Sequence, residues 1–395
     1  MALHRLVNPV MPYAWGSREA IATLQGRPAS DGPEAELWIG AHPHAPSTLE
    51  SDGRSLADLI GDAPREVLGD AVIERFGDRL PFMVKVIAAA QPLSLQVHPD
   101  DALASAGFAR EAASAVDVAD PRRCFRDPYA KPEMVLPLSD FDALLDFRPT
   151  AGAIGALSSL AAPSVHPLIA ALRAGAPTGE IFLRIADWPV DDRPSLTAAV
   201  RAAASSDQDL AWVVDLADRY PTDPGVVGAL LLNRLRLKPG QAFYVSPGTI
   251  HAYLRGTVIE VLGCSDNVVR AGLTPKHVAI DQLRPLLRLD SAPPALLETF
   301  SISDDEECWR PPRPEFQLSR LRVDGQRVAR RTETPEILLC VGGKVEVSSG
   351  DESVSFGSGE AVFVTATARE LAFVGQGVIM RATTGVLSTR AESAA

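Results

Sequence analysis

Cysteine is scarce in this 395-residue sequence. It has four cysteines, and no two of them form a CxxC pair. Scattered thiols make a poor disulfide framework and a poor thiolate zinc site, so we expect reduced cysteines in a cytoplasmic protein. Long apolar runs are also missing. No stretch is long enough for a membrane helix, and residues 1–16 contain none long enough for a signal peptide.

Positive charge is outnumbered. The chain has 38 Lys and Arg against 50 Asp and Glu, for a net charge of -12. An acidic surface repels nucleic acid and anionic lipid, so we expect neither as a partner. A small anionic substrate remains compatible with this charge only if Lys and Arg cluster locally around it.

Turn residues divide the chain into regions of different character. Residues 1–147 and 228–288 contain short strand-like runs between Pro and Gly, whereas Ala and Leu recur at helical spacing in 148–227. Residues 289–395 alternate apolar and polar residues, which is typical of a sandwich or barrel. We interpret segments 252–254 and 257–262, inside 228–288, as separate strands divided by an Arg-Gly turn.

A weak likeness connects the two β-rich regions. Residues 238–245 and 356–364 share a Gly turn followed by alternating apolar residues, which hints at two related barrels. The last histidine of the chain is His277, so the C-terminal region cannot carry a histidine-based metal site.

Gln96 and His98 are the first pair with metal-ligating chemistry. They lie two residues apart on a predicted strand, so they face the same side and could present an oxygen and an imidazole to one metal. A simpler interpretation is a polar strand face beside the turn at 99–100.

Two further segments offer a carboxylate and a second imidazole. Glu133 opens an apolar strand, either as an inward-facing ligand or as an exposed partner of Lys131. His251 follows a Pro-Gly turn, either as a ligand or as a satisfied core histidine, with Tyr253 on the same strand face. Two His, one Glu and one Gln together would supply nitrogen and oxygen donors that suit zinc or another borderline divalent metal.

Cations gather near the end of the second β segment. Arg270 and Lys276 lie beside Gly and Pro turns and could bind a phosphate, because the Arg fork matches its oxygens. Glu260, on the preceding strand, is a candidate proton carrier. Salt bridging of Glu260 and simple solvation of Lys276 are the alternatives. We expect His42 and His44 to be structural, because the residues around them look like a tight turn.

These segments, in this order, resemble the type I mannose-6-phosphate isomerases (phosphomannose isomerases) of the cupin superfamily. The resemblance runs over nearly the whole chain, and the eleven-residue string 266–276, DNVVRAGLTPK, is too specific to arise by chance. The other matching segments are 13–16, 36–43, 80–86, 93–100, 131–133 and 247–253.

The resemblance implies a mainly β fold with a helical domain: two cupin-like jelly-roll β-barrels plus an α-helical insert. It implies that 1–147 and 228–288 form the two parts of a catalytic zinc cupin and that 148–227 form the helical domain. Residues 289–395 would form a C-terminal cupin-like domain without metal. The implied activity interconverts mannose 6-phosphate and fructose 6-phosphate by zinc-assisted 1,2-proton transfer through a cis-enediol.

The resemblance also assigns residues to the site. It implies one Zn²⁺ per chain, and the implied ligands are Gln96, His98, Glu133 and His251. It implies Arg270 as the catalytic arginine, and we add Glu260 as the proton carrier because histidines that bind metal cannot act as the base. The expected substrate-binding residues are Ser94, Lys85, Lys131, Trp15 and Lys276.

Some positions depart from the family pattern. Ser17 and Asp101 stand where the family often has Lys, which lowers the positive charge expected around the site. Ser246 stands where the general second cupin motif prefers Pro.

Two other functions are compatible with the same residues. One is a non-catalytic cupin sugar-phosphate sensor, and the other is a non-haem metal oxygenase, which two His and one carboxylate would also suit. In each case the expected partner is a small molecule, a phosphorylated sugar for the isomerase and the sensor. We expect a monomer or a weak homo-oligomer.

Overall fold

The computed structural model describes residues 1–160 and 162–385. Residue 161, in the predicted helical domain, and residues 386–395, at the end of the predicted C-terminal domain, lie outside the described residues. The described residues form twenty strands, twelve α-helices and three short 3-10 helices.

The strands are β1 (Leu3–Val7), β2 (Val10–Met11), β3 (Glu36–Ile39), β4 (Thr48–Leu49), β5 (Phe82–Ala89), β6 (Leu95–Val97), β7 (Glu133–Pro137), β8 (Phe141–Phe147), β9 (Leu232–Leu237), β10 (Phe243–Val245), β11 (His251–Gly263), β12 (Val269–Gly272), β13 (Thr299–Ser303), β14 (Glu306–Trp309), β15 (Gln317–Asp324), β16 (Val328–Arg331), β17 (Glu336–Ser349), β18 (Glu352–Gly357), β19 (Ala361–Val364) and β20 (Glu370–Thr383). The helices are α1 (Ala20–Leu24), α2 (Leu56–Asp62), α3 (Pro64–Leu68), α4 (Asp70–Phe76), α5 (Asp101–Ala113), α6 (Thr150–Ser158), α7 (His166–Arg173), α8 (Thr178–Ala186), α9 (Arg193–Ala204), α10 (Ala211–Arg219), α11 (Gly225–Ala229) and α12 (Ile280–Leu286). The 3-10 helices are Pro163–Val165, Val190–Asp192 and Gln208–Leu210.

The prediction of a mainly β protein with helices is confirmed. Ten strands form one connected sheet system, in which β10-β7-β11-β5-β3-β2 run side by side and β6, β8, β9 and β12 join through β11. Six α-helices occupy 150–229, where Ala and Leu recur at helical spacing. No helix among the described residues is long and apolar enough to cross a membrane.

Strand β11 connects two layers of this first system. Its beginning pairs with β6 and β8, and its later part pairs with β5 and β7. The register shifts between Tyr253 and Arg255, and Gly256 follows with φ +119°. The expectation of two strands here is wrong, because the Arg-Gly pair forms a bulge inside one strand instead of a turn.

The two layers face each other across an apolar interior. Alternation places Ile87, Val135 and Val258 of one layer in the same cluster as Phe141 and Tyr253 of the other. Apolar side chains therefore fill one end of the space between the two layers. Polar side chains that project from the same inner faces occupy the rest of that space.

Each layer also buries its outer face. One packs against the helices, as in the cluster that joins Leu95 and Ala252 to Phe182. The other packs against the second sheet system, where β5 and β11 meet Ile337 and Phe363. Strand β5 is accordingly buried along its whole length, so it consists almost entirely of apolar residues.

The second sheet system has the order β13-β14-β15-β20-β17-β19-β1-β4, with β16 and β18 paired to β20 and β17. The N-terminal strand β1 belongs to it, since Leu3 to Leu6 pair with Val364 to Ala361. Apolar side chains fill its interior, among them Phe356. The division of the chain into the four predicted segments stays a prediction.

Candidate active site

Strand register brings the predicted site residues onto shared faces. Gln96 on β6 lies opposite His251 on one side and Arg270 on the other. Glu260 on β11 lies opposite Lys85 on β5. Directly opposed residues project to the same face of a sheet, so these side chains point to the interior between the two layers.

His98, Glu133 and His251 form a compact buried group. One ligand atom from each lies within 4.8 Å of the others. The Nε2 atom of His98 is 3.1 Å from one Glu133 oxygen, and the Nε2 atom of His251 is 3.3 Å from the other. All three residues are at most 1% exposed, so they leave almost no room for water to solvate a charge.

Backbone carbonyls orient both imidazoles. The Nδ1 atom of His98 is 2.7 Å from the Asn267 carbonyl oxygen, and that of His251 is 3.1 Å from the Thr249 carbonyl oxygen. A carbonyl only accepts, so each Nδ1 carries the hydrogen and each Nε2 presents a lone pair.

The buried group fits a metal. His98 Nε2 and Glu133 Oε2 form no hydrogen bond with another described residue. The short distances between the imidazoles and the carboxylate are therefore close approaches that no hydrogen bond accounts for. Unpartnered buried polar atoms are costly, and a cation between them would remove that cost. Nitrogen and carboxylate donors suit zinc. Gln96 places its amide nitrogen 3.2 Å from His251 Nε2, so its role as an oxygen ligand stays a prediction.

Burial and neighbouring charges set the ionisation of this group. Burial lowers the pKa of His98 to about 4, so that His98 is neutral at pH 7. Burial opposes ionisation of Glu133, but the neighbouring side chains of His98 and Lys131 hold its pKa well below the usual range. Neutral imidazole and ionised carboxylate are the forms that bind a metal.

Glu260 is a buried acid beside this group. Burial and the charge of Glu133 raise its pKa to about 7, against the opposing influence of Lys85 and Lys131. The hydroxyl group of Tyr253 donates to Glu260 over 2.6 Å. Such an acid exchanges its proton near neutral pH, as a proton carrier requires.

Lys85 is held from two sides. Its Nζ lies 3.1 Å from a carboxylate oxygen of Glu36 and 4.4 Å from the centre of the Trp38 ring. The indole N–H of Trp38 donates to the same Glu36 oxygen over 2.6 Å. Burial would lower the pKa of Lys85, but Glu36 and Glu260 raise it, so the side chain keeps its positive charge.

Arg126, Arg270 and Lys276 form a local cluster of positive charge. Burial lowers the pKa of the half-buried Arg270, and nearby Arg126 lowers it further. The pKa of the exposed Lys276 is lowered by partial burial, then by Arg270 and Arg126. None of the three forms an ion pair with another described residue, so the cluster can accept an anion despite the acidic chain.

The remaining predicted residues border the same interior. Ser94 lies directly before β6, two residues ahead of Gln96. Trp15 stacks on Tyr13 with ring centres 5.8 Å apart and packs against the cluster that contains Tyr253.

Several residues around the site are absent from the sequence-based prediction. Glu36 and Arg126 carry charge into it, and Asn267 and Asp127 hold its loops. Only Glu36 and Asn267 lie in segments that resemble the family, and the spacing of the ligands does not indicate any of the four. Asp266, in the string 266–276, lies 3.3 Å from Nε2 of His42.

A cavity of about 610 Å³ lies at the loops around residues 126–129 and 264–266. Its lining includes His42, Arg126, Tyr129 and Asp266. Arg126 connects the cavity to the cationic cluster, whereas His98, Glu133 and His251 are not among its lining residues.

Comparisons with known proteins agree with this arrangement. Residues 3–150 match the family described as phosphomannose isomerase type I, catalytic domain. The mannose-6-phosphate isomerase of Escherichia coli is 34% identical over 390 residues, covering 96% of this chain and 99% of the relative. Mannose-6-phosphate isomerase 1 of Arabidopsis thaliana is 30% identical, covering 92% and 89%.

A solved structure is also similar along nearly the whole chain. Mannose 6-phosphate isomerase from Salmonella typhimurium, bound to its substrate fructose 6-phosphate and to zinc, superposes with a TM-score of 0.90. The two sequences are 32% identical, and the match covers 97% of this chain and 100% of the other.

Proposed function

The chain belongs to the type I phosphomannose isomerase family, and from this membership we propose that it interconverts mannose 6-phosphate and fructose 6-phosphate with one zinc ion. The buried convergence of His98, Glu133 and His251 carries the proposal, because two of its atoms lack partners that a metal would supply. We assign Gln96 as the fourth ligand, since it lies opposite His251 in the β-ladder.

The zinc ion, when bound, supplies a Lewis acid that stabilises negative charge on the sugar oxygens. Glu260 takes the proton from C2 of mannose 6-phosphate and returns it to C1, because its pKa of about 7 suits both steps. Tyr253 orients Glu260 through its hydroxyl group.

Cations carry the rest of the chemistry. Arg270 lies one strand from Gln96, so we assign it to the negative charge that develops on the enediolate. Lys276, exposed and next to Arg270, suits the phosphate together with Arg126. Lys85 and Lys131 polarise substrate oxygens, and Ser94 and Trp15 line the sugar.

The two alternatives are less favoured. A sensor has no need of a buried acid with a pKa near 7 beside the metal ligands. An oxygenase keeps positions open for oxygen, whereas Gln96 and the cations crowd this site. The similar Salmonella enzyme binds fructose 6-phosphate and zinc, which supports the isomerase.

Finer features of the prediction belong to the same proposal. We propose that the two sheet systems are cupin-like jelly-roll barrels, with the helices of 148–227 as an insert. Clusters of apolar residues inside each system support this description. A cytoplasmic location, a phosphorylated sugar as the partner and a monomer or weak homo-oligomer complete it.

The test measures conversion of mannose 6-phosphate to fructose 6-phosphate by purified protein before chelation, after it, and with zinc added back. We expect turnover to stop on chelation and to return with zinc. Glu133→Gln should lose both zinc and turnover, while Glu298→Gln, at an exposed position, should keep both. A zinc-loaded protein that binds the sugar phosphate without turnover would favour the sensor. Iron content with oxygen uptake would favour the oxygenase.

A further inference from the structure

His98 is oriented by a carbonyl group that lies far away in the chain. Its Nδ1–H donates to the carbonyl oxygen of Asn267, 169 residues further on, whereas His251 uses Thr249, two residues before it. A metal-binding imidazole needs its second nitrogen held in place. The direction of the His98 Nε2 atom therefore depends on what holds the backbone at Asn267.

The side chain of Asn267 anchors this backbone. It is fully buried, and its amide oxygen accepts from the N–H groups of Arg126 at 2.7 Å and Asp127 at 3.2 Å. Its amide nitrogen donates to the carbonyl oxygens of Asp127 and Tyr129, both at 2.8 Å. Two donor and two acceptor positions are thus used, which is the full capacity of the amide group.

The carboxylate of Asp127 also joins these two segments of the chain. Its carboxylate accepts from the hydroxyl group of Ser265 and from the N–H group of Asp266, both at 2.8 Å. It also accepts from the N–H group of Tyr129 at 3.1 Å. We call the two joined segments, 126–129 and 265–267, the loop clasp.

The loop clasp lies between two predicted ligands. One of its segments carries the carbonyl that holds His98. The other precedes Glu133, and the carbonyl of Pro132 on that approach accepts from the N–H of Gly263 at 2.9 Å. A loosened clasp would therefore disturb both the direction of one imidazole and the approach of the carboxylate.

We infer that Asn267 is a positioning residue for the metal centre, which acts with Asp127 to keep His98 in the Nδ1–H tautomer with Nε2 directed at the metal. This inference rests on the proposed function and deepens it. Asn267 acts through His98 and needs no contact with the substrate.

The experiment measures the zinc dissociation constant of Asn267→Ala by competition with a chromophoric chelator. We expect the constant to rise about 10- to 100-fold, the usual effect of removing such an outer partner. The visible absorption of the cobalt-substituted variant should also change, because the His98 ligand is no longer fixed.

Asn233→Ala is the matched control. The Asn233 amide nitrogen also donates to backbone carbonyls, those of Leu145, Asp146 and Phe147, but to no carbonyl that holds a predicted ligand. Both variants should lower the melting temperature of the metal-free protein, and only Asn267→Ala should weaken zinc binding. Equal weakening in the two variants, or unchanged affinity in Asn267→Ala, would overturn the inference.

A milder variant carries the test if Asn267→Ala does not fold. Ser265→Ala removes the hydroxyl group that donates to Asp127 and accepts from the Asn267 N–H at 3.2 Å. We expect a roughly fivefold weaker zinc affinity, which corresponds to the net free energy of about one hydrogen bond, and no change would count against the inference. Isomerase turnover of the wild type is measured separately. Its absence would overturn the proposed function, while the zinc affinities alone decide the role of Asn267.

Discussion

Glu260 is the residue on which the proposed proton transfer depends. It is buried beside Glu133 and accepts a hydrogen bond from Tyr253. We expect Glu260→Gln to lower kcat by about 10²- to 10⁴-fold, the usual contribution of a general acid–base group. Zinc content should be unchanged, because Glu260 is not a ligand. Steady-state kinetics and elemental analysis check both, and near-normal turnover would assign the proton to another group.

The same residue predicts a pH dependence of stability. The folded-state pKa of Glu260 is about 7 and its ordinary value is 4.5, so between these values the folded protein holds a proton that the unfolded chain releases. Stability from this group is therefore present at low pH and is lost as pH rises through this window, by up to about 3 kcal/mol.

The variant Glu260→Gln isolates the contribution of Glu260 to the pH dependence of stability. The difference in unfolding free energy between metal-free Glu260→Gln and metal-free wild type should move in favour of the variant between pH 5 and pH 7.5. Urea unfolding at both pH values measures it. A difference that is independent of pH would mean that Glu260 titrates at its ordinary value.

Arg270 separates chemistry from metal binding. It lies on the strand next to Gln96, but its guanidinium group is not a ligand. Arg270→Ala should cut kcat by about 10²- to 10³-fold and leave the zinc content near that of the wild type. The exposed Arg255→Ala serves as the control with both unchanged. Zinc loss from Arg270→Ala, measured by elemental analysis, would contradict the assignment.

At the residue scale, the sequence indicates the metal ligands better than the groups that orient them. His98, Glu133 and His251 lie in short segments whose residue spacing and resemblance to the family can be recognised in the sequence. The contact between His98 and the Asn267 carbonyl is formed by backbone, which has the same chemistry at every position. No residue type signals it, and only the fold shows it.

Among the elements, β11 shows how a single position shapes the site. His251 is on its first part and Glu260 on its second, so the bulge before Gly256 decides how the ligand faces the acid. Gly256 has φ +119°, and a Cβ atom there would lie 2.5 Å from the Asp140 carbonyl oxygen. Both conditions exclude a side chain.

Gly256→Ala should destabilise the protein by roughly 2–4 kcal/mol, from backbone strain and steric overlap. Gly342→Ala, at the bulge of β17, is the matched control because a Cβ atom there meets nothing within 4 Å. Denaturant unfolding compares the two variants. Similar free energies of unfolding would show that β11 can relax around the new methyl group.

The Arg-Gly pair at 255–256 is a feature of one element that the sequence alone does not define. Alternation predicted strand character on both sides of the Arg-Gly pair at 255–256, but a glycine with positive φ serves turns and bulges equally. Only the pairing of β11 with four neighbours distinguishes them, and pairing depends on contacts across the whole chain.

For the whole molecule, the two β systems are not independent. The outer face of β5 and β11 packs on Ile337 and Phe363, and β1 crosses from the start of the chain into the second system. The sequence predicted two β regions from their rhythm. It could not predict that crossing, because β1 and β19 are separated by most of the chain and share no pattern.

This shared packing predicts one cooperative unfolding transition. Leu3 is 1% exposed inside the second system, so Leu3→Ala should cost about 2–5 kcal/mol. Val7→Ala on the same strand, where Val7 is 54% exposed, should change stability by no more than about 0.5 kcal/mol.

Because the two systems bury a common layer, the loss at Leu3 should also destabilise the distant zinc site. Urea titrations that follow circular dichroism and zinc release together should give coincident midpoints, both shifted down in Leu3→Ala. If zinc release kept its wild-type midpoint while the circular dichroism transition moved, the two systems would unfold separately, and the catalytic system would be stable without the packing against Ile337 and Phe363.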